Sequence, residues 1–123
     1  MSKKEKKVLV IDDEDFIREL IKDFLELSGV RCASAETAVQ GLKLMAEDNF
    51  DLILLDRNLG KMKAEDLIAQ IRKHKKDVPL VILTGDQQCS DDYLKEIGAD
   101  GIIFKPFQVN DFMESIKKFL EIE

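Results

Sequence analysis

A doubly wound α/β fold, with five parallel strands in the order 2-1-3-4-5 and helices on both faces, is what three features of this 123-residue sequence predict. Strand-like and helix-like segments alternate along the whole length, the signature of repeated βα units. The strand-like runs are continuously apolar, as strands buried on both sides must be. Four of them stop at polar residues: VLVIDD at Asp12 and Asp13, LILLD at Asp56, VILT at Thr84 and GIIFK at Lys105.

Each element has its own signal. Val8 to Ile11 reads as a buried strand, and Phe16, Ile17, Leu20, Ile21, Phe24 and Leu25 then form one stripe on a 3.6-residue period. Gly29 closes that helix as a left-handed cap. Val30 to Ser34 is a weaker edge strand, and Ala38, Val39, Leu42, Met45 and Ala46 repeat the helical stripe. Leu52 to Leu55 is the third strand, followed by a helix over about Ala64 to Lys75. Val78 to Leu83 is the fourth, with Pro79 at its start, where a missing donor does least harm. A short helix from about Ser90 to Ile97 ends at Gly98, Gly101 to Phe104 is the fifth strand, and Phe112, Ile116, Phe119 and Leu120 line the last helix.

The length and a hydrophobic content of 45% fit one globular domain with its own core, over residues 1–123 with 1–6 as a charged tail. A net charge of -6 argues against direct nucleic acid binding, which calls for a concentrated basic surface. Cys32 and Cys89 have no spaced cysteine or histidine companions, and both read as reduced thiols of a cytoplasmic protein. The opening MSKKEKK is followed by too short an apolar segment for an export signal, and no stretch suggests a membrane span. His74 reads as a solvated residue near a helix end, and Tyr93 and Met113 as packing or surface residues.

In an open parallel sheet, ligands bind beyond the carboxyl ends of the strands, in the crevice between strands 1 and 3 for this order. Asp12 and Asp13 then lie beside Asp56. At an effective dielectric near 20, unit charges about 4 Å apart repel by roughly 4 kcal/mol, so clustered carboxylates take up protons or hold a cation. Hard oxygen ligands favour Mg²⁺ over zinc. Lys105 adds a positive charge and Thr84 a hydroxyl, a set suited to phosphoryl transfer with a carboxylate as nucleophile.

VLVIDDE, LILLD, LTG and GADGIIFKPF, in this order and covering essentially the whole chain, resemble the receiver domain of two-component response regulators, as in single-domain chemotaxis and sporulation regulators. The resemblance implies a flavodoxin-like (βα)5 fold. It implies that Asp56 accepts a phosphoryl group, that Asp13 and Asp56 bind Mg²⁺ directly, that Asp12 holds a metal water and that the Asn58 carbonyl completes the ligands. Thr84 and Lys105 would contact phosphoryl oxygens, and the Lys105-Pro106 bond would be cis. The implied partners are a sensor histidine kinase or histidine phosphotransfer protein, and an output protein at the face of the fourth helix, fifth strand and fifth helix. Such a domain catalyses its own phosphorylation and dephosphorylation without being an ordinary enzyme.

Three departures from the family pattern stand out. Ile102 occupies a position that is usually aromatic and acts as a rotamer switch. Phe104 shares its side of the strand. The loop after Asp56 has Gly60 and Ala64 where Pro and Gly are common. Asn58 and Asp86, two residues past the acceptor and the threonine, sit where the family tunes phosphoryl lifetime, and an amide with an acid implies a short one. Two other functions compete. Asp13-Glu14-Asp15-Phe16-Ile17 loosely echoes the nucleophile motif of haloacid dehalogenase-type phosphatases, with Asp13 as nucleophile, although Ile17 breaks the echo and no cap-sized segment is present. A phosphorylation-independent binding module would keep only the fold.

Overall fold

The computed structural model describes residues 5–122, so residues 1–4 of the expected tail lie outside it. Its central sheet comprises β1 (Lys7–Ile11), β2 (Arg31–Ala35), β3 (Leu52–Asp56), β6 (Leu80–Thr84) and β7 (Gly101–Phe104). All neighbours are parallel, in the order β2-β1-β3-β6-β7, which is the expected 2-1-3-4-5. The helices are α1 (Asp15–Leu27), α2 (Ala38–Glu47), α3 (Ala64–His74), α4 (Asp91–Ile97) and α5 (Val109–Leu120).

Alternation along each strand splits the core into two layers. Val8, Val10, Leu52, Leu54, Val81 and Leu83 face α1 and α5, where Phe112 stacks on Phe107 with ring centroids 5.0 Å apart. Leu9, Ile11, Ile53, Leu55 and Ile82 face the opposite way, toward Ala38, Met45, Leu67, Ile71 and Leu94 of α2, α3 and α4. Among the described residues no fully buried side-chain polar atom lacks a partner.

The structure corrects several details of the sequence reading. Val30 lies outside β2 because its N–H closes α1 on the Leu25 carbonyl at 3.0 Å. Val78 and Pro79 precede β6: Pro79 has no N–H to give, although its carbonyl still accepts from Ile53. Phe16 (69% exposed) and Val39 (73%) sit on the solvent side of their helices, so the apolar stripes of α1 and α2 are narrower than their sequence pattern. The carbonyl of Lys6 accepts the Arg31 N–H, so the ladder begins at the last residue of the expected tail.

Residues 58–63 contain an unexpected antiparallel hairpin, β4 (Asn58–Leu59) and β5 (Met62–Lys63), closed by Gly60 and Lys61. Gly60 has φ 65°, and a positive φ at the first central position suits glycine and the two-residue hairpin turn of type II′. Gly98 caps α4 in the left-handed conformation at φ 85°.

At the amino ends of the strands, one guanidinium ties several segments together. Arg72 donates to the carbonyls of Lys75, Lys76, Val78 and Gly98 and to Asp100 Oδ2, and Asp100 Oδ2 also accepts the Leu80 N–H.

Candidate functional site

The site is built by register. Ile11 pairs with Leu55, Asp56 with Leu83 and Thr84 with Phe104, so Asp12, Asp56, Thr84 and Lys105 emerge together at the carboxyl ends. Backbone bonds carry the ladders past the strand ends: Asp12 N–H to the Ala35 carbonyl, Arg57 N–H to Leu83 and Lys105 N–H to Thr84. The chain cannot release these residues without breaking sheet bonds.

Asp12 is fully buried. Its Oδ1 accepts the Glu14 N–H at 2.9 Å and its Oδ2 accepts from Lys105 Nζ at 2.8 Å. The same ammonium reaches Glu14 Oε1 at 3.2 Å and Asp56 Oδ2 at 3.4 Å. Asp56 Oδ1 accepts the Asn58 N–H at 3.2 Å. Thr84 is buried, and its Oγ1 accepts the Asp86 N–H at 3.0 Å. Asp13 is exposed beside the cluster. Carboxylate oxygens of Asp12, Asp13, Glu14 and Asp56 all lie within 4.8 Å of one another.

The electrostatics follow from that crowding. Burial raises the Asp56 pKa above the usual carboxylate value; the Asn58 N–H opposes this, the Asp12 charge adds to it and Lys105 counters it. Burial works to lower the Lys105 pKa, but the hydrogen bond and charge of Asp12, with Asp56 and Glu14, outweigh it and hold the ammonium above its ordinary value. One cation among four acids leaves the cluster with surplus negative charge that a hard cation would relieve.

The expected site residues therefore meet: Asp12, Asp13, Asp56, Thr84 and Lys105 share one end of the sheet. Asn58 opens β4 and Asp86 lies two residues past Thr84, where Arg57 Nη1 donates to its Oδ2 at 2.5 Å. The Lys105-Pro106 bond is cis. Ile102 packs in the layer that faces α3 and α4, away from Ile103, and both Ile102 and Phe104 are half-buried. Asp15 pairs with Arg18 on the exposed start of α1 and stays out of the acidic cluster. Glu14 is the member of the cluster that sequence reasoning missed, although its place directly after the acidic pair was a usable signal. Burial lifts the Cys32 thiol to about 11, and both cysteines are unpaired. No helix among the described residues is long and apolar enough to cross a membrane.

Residues 8–117 match the family model of the response regulator receiver domain. The chain belongs to that family. This receiver domain is 32% identical over 123 residues to the probable C4-dicarboxylate response regulator DctR of Bacillus subtilis, covering 97% of the chain and 54% of that protein. It is 34% identical over 116 residues to the alkaline phosphatase synthesis transcriptional regulatory protein PhoP of the same organism, covering 94% and 48%. The chain thus spans about half the length of these relatives. Among solved structures, the chemotaxis response regulator CheY4 of Vibrio cholerae superposes with a TM-score of 0.89 at 25% identity, covering 95% of the receiver and all of that chain. A CheY-like receiver domain protein from Methanospirillum hungatei gives 0.88 at 29% identity, covering 96% and 95%. The fold is the CheY-like, flavodoxin-like one, and homology places the domain among the response regulators of two-component phosphorelay signalling.

Proposed function

We propose that Asp56 is the phosphoacceptor of this receiver domain and that a cytoplasmic histidine kinase or histidine phosphotransfer protein is its donor. The observation that carries this reading is the Lys105 ammonium bound to both Asp12 and Asp56, which fixes a positive charge beside the one buried carboxylate that ends β3. An Asp56 oxygen forms the new P–O bond while the donor's P–N bond breaks. Lys105 and Thr84 then meet the phosphoryl oxygens, the lysine as a point charge and the threonine as a donor.

The cluster offers carboxylate oxygens and no nitrogen or sulfur, a donor set that fits Mg²⁺. Asp13 and Asp56 would hold the ion directly, Asp12 through a water and Asn58 through its carbonyl. When bound, Mg²⁺ supplies the charge neutralisation that lets an anionic phosphoryl group approach three or more carboxylates. Asp12, with both oxygens already engaged by Glu14 N–H and Lys105, suits the indirect role.

Phosphorylation replaces the single carboxylate charge of Asp56 with a phosphoryl group carrying about -1.5 to -2 charges next to Lys105 and Thr84, which draws them inward and shifts the loops after β3 and β6. The face of α4, β7 and α5 then changes its affinity for an output protein. Incubation with Mg²⁺ and a small acyl phosphate tests the assignment: intact mass gains a single phosphoryl increment, and Asp56→Asn abolishes it. An increment that persists in the variant, or that maps to Asp13, refutes the acceptor assignment.

A further inference from the structure

Beside Asp56, and outside the acidic cluster, side chains from four separate segments meet. Arg57 follows Asp56 directly, Asp86 lies two residues past Thr84, and Glu65 and Tyr93 stand in the first turns of α3 and α4. Arg57 binds Asp86 Oδ2, and its guanidinium carbon lies 4.7 Å from the centroid of the Tyr93 ring. The Tyr93 hydroxyl donates to Glu65 Oε1 at 2.7 Å. At the other end, the Asp86 N–H is held by Thr84 Oγ1, and Asp86 Oδ1 accepts the Gln88 N–H at 2.9 Å. A continuous path of polar contacts therefore runs from the Thr84 hydroxyl to the α3–α4 boundary.

α4 is the element most dependent on such ties. It has seven residues and one buried side chain, Leu94. A helix this short has no stability of its own, and its position is set by what its side chains hold.

We propose that the path Thr84–Asp86–Arg57–Tyr93–Glu65 is the device that transmits the state of Asp56 to α4 in this chain. This rests on the reading of Asp56 as phosphoacceptor. A threonine hydroxyl that turns to donate to a phosphoryl oxygen redirects the lone pairs that now receive the Asp86 N–H. Asp86 shifts, its carboxylate pulls on the planar Arg57 fork, and the guanidinium moves relative to the Tyr93 ring. Tyr93 is tied to α3 through Glu65, so α4 reseats against α3. Ile102, an aliphatic residue without a hydroxyl, has no polar handle with which to carry this signal.

Tyr93 is the only tyrosine and the chain has no tryptophan, so emission excited at wavelengths beyond the phenylalanine absorption band reports this residue alone. The test measures that emission in Mg²⁺ before and after acetyl phosphate, with the phosphoryl mass increment read from the same samples, for wild type, Arg57→Ala and Asp86→Ala. Two variants that sever the path on either side of one salt bridge guard against a folding defect in one of them, which circular dichroism reveals. The expected result is an intensity change in phosphorylated wild type that is lost in variants carrying the same increment. Unchanged emission in phosphorylated wild type, or a change of wild-type size in phosphorylated Arg57→Ala, overturns the device while leaving Asp56 as acceptor. Absence of any increment in wild type overturns the acceptor reading and the device with it.

Discussion

Lys105 Nζ lies 2.8 Å from Asp12 Oδ2, across 93 residues of sequence, and one end of that pair is wholly shielded from water. The contact joins the first strand of the sheet to the loop after the last. Its strength and its fragility have the same cause, since two charges at a poorly solvated site support each other and neither is comfortable alone.

Lys105→Met strands Asp12 next to Asp56. Breaking a buried pair costs about 3–5 kcal/mol, and the open side toward Glu14 lowers the expectation here to about 2 kcal/mol. Urea unfolding without Mg²⁺ checks this, and Lys105→Met with Asp12→Asn recovers most of the loss. Equal stability of Lys105→Met and wild type would mean that the pair contributes nothing.

The proposed cation site exists in the native cluster and not in the unfolded chain, so Mg²⁺ is expected to raise the melting temperature. At 100 times its Kd, a one-site ligand adds about 2.7 kcal/mol. Asp13→Asn leaves the core untouched and shrinks the Mg²⁺-dependent rise, as scanning calorimetry over a Mg²⁺ series will show. A rise that survives unchanged in both Asp13→Asn and Asp56→Asn places the cation elsewhere.

Burial, and then the hydrogen bond to Glu65, raise the Tyr93 pKa above the ordinary phenol value, while Arg57 opposes them. Tyrosinate absorbance, reported by this residue alone, therefore has its midpoint above about 10 in the folded protein. Because the folded value exceeds the unfolded one, the contribution to stability is complete below about pH 10 and is lost as pH rises through the folded midpoint. Glu65→Gln removes the anion and brings the midpoint down; an upward move contradicts the contact.

Phe112 is fully buried against Phe24 and Phe107, whereas Phe16 on α1 is mostly exposed. Phe112→Ala should cost about 3–5 kcal/mol, and Phe16→Ala about 0.5 kcal/mol or less. Denaturant midpoints of the two variants test the rotation of α1 on the sheet, and similar losses would place Phe16 in the core.

The sequence made the sheet order and the five polar residues at four strand ends readable because each rests on a local feature: a short apolar run, then side chains of definite chemistry at its tip. Register then did the assembly, and Asp12, Asp56, Thr84 and Lys105 had nowhere else to go. Phe16 and Val39 misled because periodicity marks an apolar stripe without giving the width of the surface that covers it. The hairpin at 58–63 has two-residue arms, too short to show alternation, and only Gly60 hinted at its turn. The contacts of Arg57 with Asp86 and Tyr93 join loops and first helical turns, where side-chain direction depends on tertiary placement and no spacing rule applies. Tyr93, read as a packing or surface residue, is both half-buried and hydrogen-bonded.

Arg72 gathers four carbonyls and Asp100 at the rim opposite the acidic cluster. A molecule bolted at one rim and charged with like ions at the other deforms like a fan held at its pivot. Displacement at the loops after β3 and β6 is then expected to spread outward while the bolted rim keeps its place.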